Sequence, residues 1–122
     1  MRLFRLLWLA AIMAVGGSDM ALAHAFPKTE EPPAGATLKA TPTMVSITFT
    51  ESVDAHFSGI VVENAEGQRA DKGDTKRDPN NDRRLSVGLK QPVASGSYKV
   101  IWHALSTDGH RTQGSYRFSV TH

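Results

Sequence analysis

The sequence predicts an all-β domain of about seven strands, built as a two-sheet sandwich or small barrel. Three observations predict it. Apolar residues alternate with period 2 in four segments, and a fifth is a short β-branched run, between residues 44 and 120. Clusters of Pro, Gly, Asp and Asn separate those segments. No segment carries a 3.6-residue apolar stripe long enough for a helix. Short strands at this spacing, within about 100 of the 122 residues, fit an Ig-like Greek-key arrangement.

The first 23 residues stand apart. "MRLFR" carries two arginines, "LLWLAAIMAV" is an apolar run, and "GGSDMALA" ends in small residues at Ala21 and Ala23. That is the layout of a secretory signal peptide with an A-x-A cleavage site. The run is too short to span a bilayer, which needs roughly 20 apolar residues. Residues 1–23 are therefore expected to be cleaved, leaving one domain over residues 24–122 with no stable membrane insertion. A bacterial periplasm is the expected destination.

In "MVSITFT", Val45, Ile47 and Phe49 share one face, and Met44 lies in the polar-facing register. "FSGIVVEN" is short, apolar and β-branched. "RLSVGLK" alternates Leu85, Val87 and Leu89. "SYKVIWHAL" puts Tyr98, Val100 and Trp102 opposite Lys99, Ile101, His103 and Leu105. "GSYRFSV" alternates Tyr116, Phe118 and Val120. The stretch "DKGDTKRDPNNDRR", residues 71–84, lacks apolar residues to bury and reads as a solvated loop. Its Asp78, Asn80 and Asp82 imitate the start of a calcium loop. Arg83 and Leu89 stand where that loop needs Gly and Glu, which argues against calcium.

Composition removes several function classes. Loss of Arg2, Arg5 and Asp19 with the signal lowers the formal net charge from +2 to +1. A balanced surface gives no case for nucleic acid or an anionic membrane as partner. With no cysteine, thiolate zinc, iron–sulfur and blue-copper sites are excluded, as are disulfides.

One constellation could carry chemistry. Cleavage after Ala23 would give His24 an α-amine beside its own imidazole, and the two can close a six-membered chelate ring on a metal. One further imidazole completes three nitrogens in a T, a histidine brace. Such nitrogen and oxygen donors in a tetragonal plane suit Cu(II). "STDGHRTQG" offers His110 as that imidazole and Asp108 as a carboxylate, two residues apart and so on one side of an extended segment. Gly109 between them leaves the backbone room to adjust. The same residues also read as a chance terminal histidine and a polar Asp-Gly turn before a strand. His56, His103 and His122 compete as ligands. His103 is expected to be exposed, opposite Trp102, and the terminal His122 to be mobile.

From His24 onward the chain resembles the CopC/PcoC family of periplasmic copper-binding proteins. "AHAFP" puts a histidine directly after the signal. "PPAGATLKATPTMVSITFTESV" resembles the family's Pro-x-x-Gly, alternating strand and Phe-x-Glu. "GSYKVIWHALSTDGHRTQGSYRFSV" resembles its Gly-x-Tyr-x-Val-x-Trp, Ser-x-Asp-x-His and Gly-x-x-x-Phe-x-Val block. The resemblance implies one Cu(II) per chain, bound by His24, through amine and side chain, with Asp108 and His110. Some members add a glutamate that falls on Glu51, as axial ligand, hydrogen-bonding neighbour or plain surface carboxylate. Others carry a Met-rich Cu(I) site after the third strand. Here that region reads "ENAEGQRADKGD", without Met or His, and Met44 is the single Met after residue 23. The chain therefore resembles the Cu(II)-only members.

The implied function is copper homeostasis or resistance, by sequestering or carrying copper as a monomer rather than by catalysis. The resemblance implies a CopD-type inner-membrane copper transporter as a possible partner. Two rival readings remain open here. One is a small histidine-brace copper oxygenase, which would need an open copper position and a broad substrate face. The other is a metal-free Ig-like binding module.

Overall fold

The structure, a computed structural model, describes residues 25–122. The expected signal peptide and His24 lie outside the described residues. Eight strands form: β1 (Pro27–Glu31), β2 (Thr37–Leu38), β3 (Met44–Phe49), β4 (Gly59–Glu63), β5 (Lys76–Asp78), β6 (Asn81–Gly88), β7 (Gly96–Leu105) and β8 (Arg111–Val120). They make two four-stranded sheets, ordered β1-β3-β6-β5 and β2-β8-β7-β4. Two hairpins, β5–β6 and β7–β8, stay within a sheet, and every other connection crosses to the opposite one. Pairing is antiparallel except for β2 beside β8. This is the all-β sandwich the alternation predicts.

The alternating residues do the packing. Val45, Ile47 and Phe49 of β3 and Leu85 and Val87 of β6 face Val100, Trp102, Phe118 and Val120 across the two sheets, all buried. Phe49 meets Trp102 edge-on, with ring centroids 5.4 Å apart, and Tyr98 stacks on Phe118 at the same separation. Gly114, paired with Trp102 across β7 and β8, makes room for the indole. A Cβ there would lie 2.7 Å from Trp102 Cζ2. Met44 is exposed, as its register predicts.

Two expectations need correction. Residues 71–84 are not a solvated loop. They hold β5 and the start of β6, which pair as a hairpin. Asp71, at their head, is buried. It accepts from Arg69 Nη2 at 2.6 Å and Nε at 2.8 Å, and from the backbone N–H groups of Val62 and Gly73. Burial pushes its carboxyl upward, but those four hydrogen bonds outweigh burial and hold it below the usual range. His122, expected to be mobile, is held: its Nε2 lies 3.0 Å from Val93 O and its N–H donates to Ser95 Oγ.

The strand directions give the sandwich two poles. One carries Met44, Gly88, Gly96 and Val120. The other carries Phe49, Asn81, Leu105 and Arg111, with the loops that follow Phe49 and Leu105.

Candidate metal centre

The β7–β8 hairpin turns through Ser106–His110 at the second pole. The turn closes by backbone bonds: Ser106 N–H donates to His110 O at 2.9 Å, and Gly109 N–H to Ser106 O at 2.9 Å. Gly109 sits at φ +96°, a left-handed conformation that other residues adopt only with strain. That conformation reverses the chain between Asp108 and His110.

The reversal, and not the extended segment expected from the two-residue spacing, brings the two side chains together. His110 Nδ1 lies 3.1 Å from Asp108 Oδ1, and both side chains are about half exposed, at 48% and 52%. Ser106 is buried beneath them. Its hydroxyl hydrogen-bonds Asp108 Oδ1 and also contacts the His110 main chain, accepting from N–H at 3.2 Å. The Ser106 hydroxyl first, and His110 second, hold the Asp108 carboxyl below its usual range. Asp108 is therefore an anion at neutral pH, the form that binds metal. An exposed carboxylate and imidazole on a fixed turn offer one oxygen and one nitrogen donor, types that first-row transition metals accept.

Two further segments converge on this turn. Val53 bridges Ser106, and Thr107 N–H donates to Ser52 O at 3.1 Å, so the segment holding Glu51 lies against it. Arg77 and Arg83 secure that segment by donating to Val53 O and Thr50 O, each at 3.0 Å. Glu51 itself is exposed. The N-terminal segment is the second. Ala25 is fully buried, and Thr112 Oγ1 donates to Ala25 O at 2.7 Å. Phe26 and Thr50 are joined by two bonds, Phe26 N–H to Thr50 Oγ1 and Thr50 N–H to Phe26 O.

The structure thus brings Asp108 and His110 together and places the segments of Glu51 and Ala25 beside them. Among the described residues, no group of three or more His, Asp or Glu side chains is gathered to hold a metal. The competing histidines lie elsewhere. His103 is exposed on the outer face, its ring over Gly59 of the neighbouring strand, where a Cβ would come within 2.9 Å of it. His56 sits in an exposed turn capped by Asp54, and His122 at the opposite pole. Sequence reasoning missed Thr112, Arg77 and Arg83, and quoted Ser106 only as part of a motif. The burial of Ser106 and the tie from Thr112 depend on sheet packing, which no local pattern reveals.

The CopC domain family matches residues 28–121. Protein YobA of Escherichia coli is 35% identical over 98 residues, covering 80% of this chain and 79% of that protein. Copper resistance protein C of Pseudomonas syringae is 30% identical over 118 residues, covering 89% and 91%. The Copper transport protein CutJ of Bacillus subtilis is 35% identical over 80% of this chain but only 18% of its own length. Among solved structures, CopC from Methylosinus trichosporium superposes with a TM-score of 0.74 at 31% identity, over 80% of this chain and 93% of that one. PcoC from Escherichia coli superposes with a TM-score of 0.69 at 23% identity, a likeness of fold, over 80% and 99%. With its matching domain, its copper-resistance relatives and its sandwich in hand, the chain belongs to the CopC family.

Proposed function

We propose that the mature protein begins at His24 and binds one Cu(II) in the periplasm. The ligands are the His24 α-amine and imidazole, the His110 imidazole and the Asp108 carboxylate. Glu51 stands beside them as an axial or hydrogen-bonding carboxylate. Residues 1–23 serve as the cleaved export signal, and residues 24–122 act as a monomer that sequesters or carries copper without catalysis. A CopD-type membrane transporter is its proposed partner.

One observation carries this reading: Ala25, the residue after His24, is tied to Thr112, two residues beyond His110. Adjacent Cα atoms are about 3.8 Å apart across a trans peptide. A chain starting at His24 would thus start within one residue of a contact on β8 that lies two residues beyond His110. The donor set supports Cu(II) over Cu(I), because Met44, the single thioether after residue 23, lies at the other pole. The match within CutJ supports the proposed partner, since there a stretch 35% identical to this chain makes up 18% of a protein named as a copper transport protein.

Competition titrations test the metal choice. Processed protein should bind one equivalent of Cu(II) tightly under oxidising conditions and Cu(I) poorly under reducing ones. Equally tight binding of Cu(I) would contradict it.

A further inference from the structure

Chain ends in small domains usually fray unless something ties them down. The segment starting at Ala25 is tied three ways. Its methyl group is fully buried in the core. Its carbonyl accepts from Thr112 Oγ1 at 2.7 Å. The next residue, Phe26, exchanges two hydrogen bonds with Thr50. The Thr112 bond differs from the other two. It leaves the sheet of β1 and reaches β8 in the opposite sheet, on the strand that His110 leads into.

We propose that Thr112 is a positioning residue for copper. Its hydroxyl docks the Ala25 carbonyl onto β8, two residues beyond His110, and so restricts how far a chain end starting one residue earlier can stray. Thr112 itself touches no metal. The inference rests on the reading of His24 as mature N-terminus and ligand. Its physical basis is pre-organisation: a tethered amine and imidazole lose less freedom on binding than those of a frayed end. Thr112 thereby couples the N-terminus to the hairpin turn, two parts of the chain 87 residues apart.

The test compares Cu(II) affinity in two backgrounds, processed protein starting at His24 and protein retaining Ala23. In the processed protein, Thr112→Val should weaken Cu(II) binding about 3- to 10-fold, the scale of one hydrogen bond. Thr112→Ser, which keeps the hydroxyl, should restore it. The Cu(II) electron paramagnetic resonance spectrum of the Val variant should become heterogeneous, which a remote loss of stability would not cause. In the protein retaining Ala23, the same substitution should change nothing further. Thr112→Ala, read by the same titrations, takes the place of Thr112→Val if the latter fails to fold. Wild-type affinity in processed Thr112→Val, with weak binding in the Ala23 protein, would overturn the role of Thr112 and leave the amine ligand standing. An equal loss in both backgrounds would also overturn it. Tight binding by the Ala23 protein would instead overturn the amine ligand, and this inference with it.

Discussion

Asp108 and His110 owe their pairing to two neighbours, Gly109 and Ser106. Gly109 supplies the left-handed turn, and Ser106 supplies a buried hydroxyl that reaches Asp108 and the His110 main chain. The D-x-H spacing was legible in the sequence, and so was the outward side of His103. The depth of Ser106 was not, because a serine in "LSTDGH" looks like any turn residue until its burial is known. Loss of a ligand should cost more than the roughly 10–100-fold typical of groups that only orient ligands. His24→Ala and His110→Ala should therefore each weaken Cu(II) binding by more than about 100-fold. Asp108→Ala should cost less than either, since no imidazole is removed. His103→Ala should change little, because its ring lies over Gly59 on the outer sheet face. Isothermal titration of the four variants checks this order. Unchanged affinity in His110→Ala would reduce the 106–110 turn to a connection between strands.

Elements were legible in proportion to how much apolar surface they bury. β3, β4 and β7 sit where the apolar pattern predicts, and β6 and β8 contain their alternating runs but begin three residues earlier, at Asn81 and Arg111, where the residues are polar; each carries inward-facing Val, Ile, Leu, Phe or aromatic residues. β1 (PKTEE) and β5 (KRD) are edge strands made of polar residues, and β2 has two residues, so no period can announce them. The polar stretch after Ala70 hid a structural carboxylate for the same reason. Asp71 accepts four hydrogen bonds at the edge of β4, two from the Arg69 guanidinium and one each from Val62 and Gly73. Asp71→Asn would turn one acceptor oxygen into a donor facing donors. It should cost about 2 kcal/mol of unfolding free energy at pH 7, the scale of a buried donor left unmatched. Because the folded-state carboxyl is held low, its stabilisation is present in full above the ordinary aspartate pKa of about 3.9. It is lost as pH falls through the lower folded value. The gap between wild type and Asp71→Asn in urea unfolding should therefore be constant from pH 5 to 8 and narrow in stronger acid. Equal stability at pH 7 would show that Asp71 is not holding this edge.

Across the whole molecule, the sandwich was legible and the convergence at one pole was only partly so. The resemblance joined His24 to Asp108 and His110, but nothing local in "AHAFP" says that Ala25 would be buried or tied to β8. That contact appears only when β1 closes one sheet and β8 flanks the other. The fold thus ties Ala25 to β8, two residues beyond His110, and the central claim of the proposal is that processing before His24 gives an α-amine that is a copper ligand. An α-amine binds copper after losing a proton of pKa about 7.7–8.0, whereas an amide must lose a far less acidic one. The direct measurement is the Cu(II) dissociation constant of protein starting at His24 against protein retaining Ala23, both at pH 7 and both shown to be folded. The account predicts that the single extra residue leaves the fold intact and weakens Cu(II) binding by more than about 100-fold, as loss of a ligand should. Equal dissociation constants for the two proteins would contradict it.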